Sequence, residues 1–218
     1  MTFTVLTVCS ANVCRSPLMT VSLERSLFGQ RFGGDVIVRS GGVNAAAGEP
    51  ACSEIARLAR SNGMVSRVLE LHRSRPLTDD LIESADLILA ADRSLRSAVV
   101  KQAPPLSIDR TFTLREAAQL AARACREVKG RTTDERLRSL TMQMNHSRGF
   151  TDLPGVERIS VLTRPWRRIP VHSHDVPDAH GEPQAPHSVV HRLIVPAAEQ
   201  LVSHLAIAAF GPSEIANR

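Results

Sequence analysis

The sequence is poor in aromatic residues: its 218 residues include no tyrosine, one tryptophan and six phenylalanines, or 3% in total. It is nevertheless basic, with a formal net charge of +5 and an isoelectric point near 9.7. Proteins that bind single-stranded nucleic acid stack bases on aromatic side chains, so this composition argues against a nucleic-acid partner. We attribute the positive charge to a general excess of arginine, and attraction to acidic or phosphorylated partners is the alternative explanation.

Cysteine is infrequent as well, and its spacing matches neither a disulfide framework nor a zinc-binding motif. The four cysteines are Cys9, Cys14, Cys52 and Cys125. Because such a chain suits a reducing compartment, we expect a cytoplasmic protein. A group of histidines in the C-terminal part lacks a coherent ligand spacing, so we expect no metal and no cofactor. These histidines are His172, His174, His180, His187 and His191.

Long apolar runs are missing too, because none approaches the length that crosses a membrane. The N-terminus lacks the charged and apolar regions of an export signal. Apolar residues make up 43% of the chain, which is enough for a hydrophobic core. We therefore expect no membrane association and a single domain over residues 1–218, with an irregular or inserted region at about 130–170 and a closing helix at 187–209.

Strand-like and helix-like segments alternate through residue 128. Four strands are predicted at 3–8, 35–39, 86–90 and 110–113. Helices are predicted at 18–28, 50–62, 78–84, 93–101, 114–128 and 134–146, followed by an irregular segment at 149–170. The alternation predicts a three-layer α/β fold in which a four-stranded parallel sheet is flanked by helices. Right-handed crossovers place the carboxyl ends of the strands at one edge, where ligands bind.

The first predicted strand leads into a loop with the sequence CSANVCRSP, from Cys9 to Pro17. The amides of a tight loop and of the following helix N-terminus can converge on an anion. Ser16 is predicted to cap this helix and Pro17 to take its first position. Arg15 offers two parallel donors to a tetrahedral anion, and a thiolate at Cys9 can attack a phosphoryl group and form a cysteinyl-phosphate. The alternative is a buried cysteine in a βα turn beside a surface arginine.

This loop resembles the phosphate loop of the low molecular weight protein tyrosine phosphatases, C-x-G-N-x-C-R-S-P, except for Ala11 at the usual glycine. Other segments resemble the same family, at 39–42, 71–77, 85–89, 110–116 and 175–178. The resemblance covers most of the chain, is weakest between residues 119 and 170, and is closest to bacterial members of the actinobacterial type. It implies the flavodoxin-like architecture of that family.

The resemblance also implies roles for individual residues. Cys9 is the nucleophile, Arg15 holds the phosphoryl group, and Asp178 is the general acid that later activates water. The implied phosphate-binding residues are Ser10, Ala11, Asn12, Val13, Cys14 and Arg15. Ala179 stands where the family has proline, and the aromatic residues that often follow are missing. Asp175 is the alternative acid. A third possibility is that Asp175 and Asp178 are both solvated loop residues without a catalytic role.

A supporting network around the loop is implied at Asn12, Ser16, Ser40 and His72. Asn12 tolerates the left-handed backbone that a tight loop needs, and the Ser16 hydroxyl can stabilise the thiolate. The alternatives are that Ser16 only caps the helix and that His72 is an ordinary surface residue. In the family, a cysteine at the position of Cys14 can pair reversibly with the nucleophile under oxidation.

The alternative to a redox role for Cys14 is that it is a small residue that packs in the core. Cys52 and Cys125 are interpreted as structural. Together the residues predict a phosphoric monoester hydrolase without metal or cofactor. The resemblance implies a protein phosphotyrosine phosphatase, acting on a phosphotyrosine-containing protein or another phosphomonoester. A weakly catalytic phosphate-binding protein is one alternative, suggested by Ala11 and Ala179. A thiol-dependent arsenate reductase is another, although Cys52 and Cys125 do not form the close pair that it needs.

Overall fold

The computed structural model describes residues 2–30, 32, 34–64, 67–148, 156–161, 164–181 and 184–211. Its main sheet has four parallel strands in the order β2-β1-β3-β4. These strands are β1 (Phe3–Cys9), β2 (Val36–Gly42), β3 (Leu87–Ala90) and β4 (Thr111–Thr113). The predicted four-stranded parallel sheet flanked by helices is therefore confirmed.

Helices follow the strands much as predicted. They are α1 (Arg15–Gly29), α2 (Ser53–Ser61), α3 (Arg67–Leu71), α4 (Asp79–Glu83), α5 (Arg93–Gln102), α6 (Pro104–Ser107), α7 (Leu114–Ala124), α8 (Thr133–His146) and α9 (His187–Phe210). The N-terminus of α4 is capped by Thr78, whose hydroxyl accepts from the backbone N–H of Leu81, as the sequence predicts. Reciprocal capping boxes start α7 and α8, which fixes where both helices begin.

Side chains of the central strand β1 alternate between two apolar cores, because successive residues of a strand face opposite sides of a sheet. Phe3 and Val5 join the larger core, which includes residues of α1, α7, α8 and α9. Leu6 and Val8 join a smaller core with residues of α4 and α5. Both faces of the sheet are thus covered, so its carboxyl edge is the side left for a site.

The start of α1 differs from the prediction. The helix begins at Arg15, its N-cap position is Cys14, and no side chain caps it. Ser16 therefore lies inside the first turn and Pro17 is the third helical residue. The hydroxyl of Ser16 is not used as a cap because it is bonded to Cys9 and Asn12 instead.

The segment predicted as irregular contains an antiparallel pair of strands, β5 (Val156–Val161) and β6 (Arg164–His172). Residues 149–155 and 162–163 of that prediction lie outside the described residues. Pro165 and Pro170 fall within β6. A two-stranded ribbon has outward-facing edges where a missing N–H breaks no ladder bond, so prolines that signal a loop are tolerated here.

The closing helix α9 ends one residue beyond the predicted range of 187–209, and it contains a more apolar stretch than was expected from the sequence. Within its 24 residues, an 18-residue stretch has a mean hydropathy of 1.6, which satisfies the length and composition of a membrane span. Half of that apolar stretch is buried within the protein, where Val190, Ile194, Leu201 and Leu205 belong to the larger core. A long core helix meets the same criterion, so its length carries no conclusion about membranes.

Candidate active site

The loop between β1 and α1 forms the base of a cleft at the carboxyl edge of the sheet. Asn12 has a φ of 55°, the left-handed conformation expected for this residue type in a tight turn. Gly42, at the end of β2, lets the loop approach closely, because a Cβ there would lie 2.5 Å from the Ser10 carbonyl oxygen. Asn44 also donates its backbone N–H to that oxygen at 2.9 Å. The strand end of β2 therefore holds the loop in place.

Ser16 lies between the sulfur of Cys9 and the amide of Asn12. Its Oγ is 3.0 Å from Cys9 Sγ and accepts a hydrogen bond from Asn12 Nδ2 at 2.9 Å. Because the Asn12 N–H occupies a lone pair of the hydroxyl oxygen, the O–H is left to donate to the sulfur. All three side chains are buried. This arrangement would stabilise a negatively charged sulfur.

Asn12 also fixes the position of the loop against the segment that follows α3. Its Oδ1 accepts the backbone N–H of Arg75 at 3.0 Å, and its carbonyl oxygen lies 2.6 Å from His72 Nε2. The carbonyl can only accept, so Nε2 of His72 carries the proton. Burial lowers the pKa of His72 below its ordinary value, which favours this neutral form.

Ser40 is joined to this network through its backbone. Its carbonyl oxygen accepts a hydrogen bond from Arg75 Nε at 2.6 Å. Within the described part of the chain, its hydroxyl makes no hydrogen bond to the loop. The structure therefore brings Asn12, Ser16 and His72 together by their side chains, and Ser40 only by its main chain.

Arg15 extends from the first turn of α1 into the cleft and is 4% exposed. Its Nη1 donates to Asp92 Oδ2 at 2.8 Å and to the Val176 carbonyl at 3.2 Å, and its Nη2 donates to Asp178 Oδ2 at 2.6 Å. A buried guanidinium needs such partners, because removing it from water is costly. The nucleophile loop, residues 9–17, and the acid loop, residues 175–181, therefore meet at Arg15.

Asp92 is a site residue that sequence reasoning missed. It lies two residues after the end of β3 and caps α5, accepting the backbone N–H of Leu95 on Oδ1 while Oδ2 binds Arg15. Both carboxylate oxygens are thus engaged, so the cap of one helix orients the guanidinium of another. The available signal was an aspartate two residues after a buried strand, at the carboxyl edge of the sheet where the loop after β1 also lies.

The two candidate acids are held differently. Asp178 accepts the backbone N–H of His180 on Oδ1 at 2.9 Å, and its other oxygen faces Arg15. Asp175 accepts from both the backbone and the side chain of Arg93, at distances of 3.0–3.3 Å. The structure therefore places Asp178 beside the guanidinium and ties Asp175 to Arg93.

Alanine at position 179 is completely buried beneath the acid loop, as is Val176. The backbone N–H of Val176 also donates to the Ala91 carbonyl at 2.8 Å, which ties the loop to the end of β3. The acid loop is therefore anchored by packing and hydrogen bonds, although it lacks the proline that the family resemblance implies after Asp178.

The cleft has a volume of about 610 Å³, and its walls include Ser10, Arg15, Asp92 and Asp178. A larger groove of about 870 Å³ lies along α1 and β2 and contains none of the candidate catalytic side chains. The smaller cleft is therefore the candidate site. A buried guanidinium and a carboxylate line this cleft, and the Cys9 thiol belongs to the residue before the lining residue Ser10. These groups suit attack by sulfur on a phosphoryl group with protonation of the leaving oxygen.

Cys14 lies beside Cys52, an arrangement that the sequence did not indicate. All four cysteines are free, and a hydrogen bond between these two thiols lowers the pKa of Cys52 to about 4 while raising that of Cys14. When one of these two thiols is deprotonated, the thiolate is therefore that of Cys52. Cys125 lies elsewhere, with its sulfur 3.9 Å from His204 Nδ1.

Comparison with known proteins places residues 4–130 in the profile of the low molecular weight phosphotyrosine protein phosphatase family. The probable low molecular weight protein-tyrosine-phosphatase EpsP of Ralstonia nicotianae is 34% identical over 101 residues, which cover 46% of this chain and 63% of that protein. A protein-arginine-phosphatase of Bacillus subtilis is 35% identical over 113 residues, covering 51% and 70%. The aligned part of this chain thus spans less than two thirds of EpsP.

A solved structure, YfkJ from Bacillus subtilis, superposes with a TM-score of 0.62 at 18% identity. The superposition covers 93% of this chain and 94% of that one, and at this identity it supports the fold alone. The family match contains Cys9 and Arg15 and ends before the acid loop.

Proposed function

Because the chain belongs to the low molecular weight phosphotyrosine protein phosphatase family, we propose that it hydrolyses phosphomonoesters on proteins, phosphotyrosine in particular. The observation that carries the proposal is the meeting of Arg15 and Asp178 at one cleft, whose lining includes Ser10, the residue that follows Cys9. A reducing compartment such as the cytoplasm suits the proposed chemistry, since the nucleophile must remain a free thiol.

In the first step, the Cys9 thiolate attacks phosphorus and the bond from phosphorus to the leaving oxygen breaks. Asp178, in its acid form, gives its proton to that oxygen. Arg15 holds two of the non-bridging oxygens with its parallel donors. The phosphoryl oxygens compete with Asp178 for Nη2 of Arg15, so substrate binding releases this carboxyl group for proton transfer. Asp92 keeps the guanidinium oriented meanwhile.

In the second step, the Asp178 carboxylate takes a proton from a water molecule, whose oxygen attacks phosphorus. The phosphorus–sulfur bond breaks, phosphate leaves, and the Cys9 thiolate and the Asp178 acid are restored. Ser16 stabilises the sulfur when it departs as a thiolate, because its hydroxyl lies 3.0 Å away.

The charges of the cleft support an aryl phosphate over phosphoarginine. Three carboxylates line it, and all of them are already paired: Asp92 with Arg15, Asp175 with Arg93 and the third, Asp178, with Arg15 as well. Asp178 is also needed as the acid. A cationic guanidino group would therefore find no spare carboxylate, whereas a neutral phenyl ring needs none.

The test is hydrolysis of para-nitrophenyl phosphate, followed by three peptides of one sequence that carry phosphotyrosine, phosphoserine or phosphoarginine. We expect turnover that is lost in Cys9→Ser and fastest on the phosphotyrosine peptide. Cys125→Ser is the matched control, because this thiol lies away from the cleft, and it should retain activity. Faster cleavage of phosphoarginine would refute the tyrosine assignment, and no turnover of any substrate would favour a binding protein.

Arsenate reduction remains a second candidate, because the structure places Cys52 beside Cys14, next to the nucleophile loop. From the sequence, only Cys52 and Cys125 were considered as a relay pair, and the cysteine that lies near Cys52 in the structure is Cys14. Arsenate-dependent consumption of a thiol reductant, lost in Cys52→Ser, would support this function, and its absence would exclude it.

A further inference from the structure

Two cysteines and two histidines from four separate segments meet beside the candidate active site. They are Cys14, Cys52, His180 and His187, and their ligand atoms all lie within 4.8 Å of one another. Cys14 immediately precedes α1, and Cys52 immediately precedes α2. His180 belongs to the acid loop, and His187 is the first residue of α9.

The distances within this group suit a tetrahedral metal ion. Zinc binds sulfur at about 2.3 Å and imidazole nitrogen at about 2.0–2.1 Å, so in a tetrahedron two nitrogens lie about 3.3 Å apart and two sulfurs about 3.8 Å apart. The Nε2 atoms of His180 and His187 are 3.3 Å apart. The Sγ of Cys52 is 3.3 Å from Nε2 of His187. A small movement of the thiols would complete the geometry.

The two imidazoles are turned toward each other by their ring nitrogens. Their centroids are 5.0 Å apart and their planes are inclined by 79°, so they meet edge-on through Nε2 without stacking. A hydrogen bond between two Nε2 atoms uses one proton and one lone pair. A central metal ion uses the lone pairs of both, and of the two sulfurs as well.

We propose that Cys14, Cys52, His180 and His187 form a binding site for a zinc ion. Two thiolates and two neutral imidazoles make the donor set of a structural zinc site, and two thiolates balance the charge of the ion. All four positions of the tetrahedron are filled by the protein, so no position is left for water or substrate. The site is therefore structural, and the reaction does not pass through it.

Its position indicates what the ion would do. Cys14 adjoins Arg15, and His180 lies two residues after Asp178. The same region is already joined by backbone hydrogen bonds, from Cys52 N–H to the Val13 carbonyl at 2.7 Å and from Ala185 N–H to the Asp178 carbonyl at 3.1 Å. A zinc ion would fasten the acid loop and α9 to the nucleophile loop. It would thereby fix the distance between the proposed acid and the guanidinium.

Sequence spacing led to the opposite expectation, that the chain holds no metal. Two of the ligands are single cysteines 38 positions apart, and the histidines follow much later in the chain. Zinc motifs are recognised by pairs of ligands a few residues apart, and only the fold brings these four together.

The test uses the fully reduced full-length protein and measures bound zinc by elemental analysis and bound cobalt by its absorption spectrum. We expect one ion per chain, with the intense visible bands of tetrahedral cobalt and a sulfur-to-cobalt charge-transfer band. Cys52→Ser and His187→Ala should each weaken zinc binding by more than about 100-fold. Loss of a residue that only hydrogen-bonds to a zinc ligand already costs up to about that much, and these two residues are ligands themselves. Zinc should also raise the thermal unfolding midpoint of the parent protein and not of these variants.

Two control variants separate this site from other thiols. Cys125→Ser removes a cysteine that also neighbours a histidine, and Cys9→Ser removes the proposed nucleophile; both should bind metal as the parent does. Absence of the charge-transfer band, unchanged binding in both ligand variants, or loss of binding in Cys9→Ser would each overturn the proposal. If a ligand variant does not fold, protection of Cys14 and Cys52 from a thiol reagent by zinc in the parent provides the measurement. These readouts do not depend on phosphatase activity.

Discussion

Replacement of Asn12 should separate two contributions to the stability of the nucleophile loop. The side chain is fully buried, donates to Ser16 Oγ and accepts the backbone N–H of Arg75. The backbone has a φ of 55°, which glycine adopts freely and alanine does not. Asn12→Gly therefore removes the hydrogen bonds alone, whereas Asn12→Ala removes them and adds backbone strain.

The magnitudes follow from these contacts. Loss of the bond to Ser16 costs about 1 kcal/mol. The N–H of Arg75 is only partly buried, so leaving it without an acceptor costs about 1–2 kcal/mol, the lower part of the range for buried groups. We expect Asn12→Gly to lower the free energy of unfolding by about 2–3 kcal/mol. Asn12→Ala should lower it by about 1 kcal/mol more, because a left-handed alanine is strained by that amount.

The assay is equilibrium unfolding in urea, followed by circular dichroism, with a thermal scan as a second measurement. For a chain of this length the thermal midpoint should fall by about 4–12 °C in Asn12→Gly and by about 6–16 °C in Asn12→Ala. Asn44→Ala is the matched control, since the Asn44 side chain makes a solvent-exposed hydrogen bond to Ser10, and it should stay within about 0.5 kcal/mol of the parent. If both Asn12 variants were as stable as this control, the account of the loop would be wrong.

Three further predictions concern the acid, the sulfur and the histidines. Asp178→Asn should lower kcat on a phosphotyrosine peptide by about 10²–10⁴-fold, because the leaving oxygen then lacks its proton donor. Asp175→Asn disturbs only the pair with Arg93 and should lower kcat by less than about 10-fold. The reverse order would make Asp175 the acid. Ser16→Ala should lower kcat by about 10–150-fold, the equivalent of the about 1.5–3 kcal/mol of a hydrogen bond to a charged group, and an unchanged kcat would contradict the role of Ser16. Burial lowers the folded-state pKa of four histidines, so the unfolded chain takes up protons first and urea stability should fall as pH drops from about 7.5 to about 5. The four are His72, His174, His191 and His204. His174→Gln should reduce this pH dependence, and an unchanged slope would contradict the assignment.

The main sheet and the nucleophile loop could be predicted because their signals are local. The β-branched run before Cys9 is a strand buried on both faces, and a strand of this kind belongs in the middle of a sheet covered by helices. The start of α1 was predicted less well, because serine and proline are common at helix N-termini. The sequence does not reveal that the hydroxyl of Ser16 is bonded to Cys9 and Asn12.

The features that could not be predicted depend on contacts between distant segments. Asp92 acts on Arg15 across 77 positions, and its own neighbours suggest only a helix cap. The strand β6 contains two prolines, a residue type that normally marks loops, and it is a strand only because it pairs with β5 in a ribbon. The grouping of Cys14 with Cys52 likewise arises only when α1 and α2 are placed side by side.

The central claim, that Cys9 carries the phosphoryl group during turnover, is tested most directly by trapping the intermediate. Asp178→Ala should be mixed with para-nitrophenyl phosphate, quenched near neutral pH and digested for mass spectrometry. The first step remains possible because para-nitrophenolate leaves without a proton donor, and the second is slowed because water is no longer activated. We predict phosphate on Cys9, distinguished from Cys14 in the same peptide by fragmentation. Release of para-nitrophenol with phosphate on another residue, or with no phosphorylated cysteine, would contradict the account.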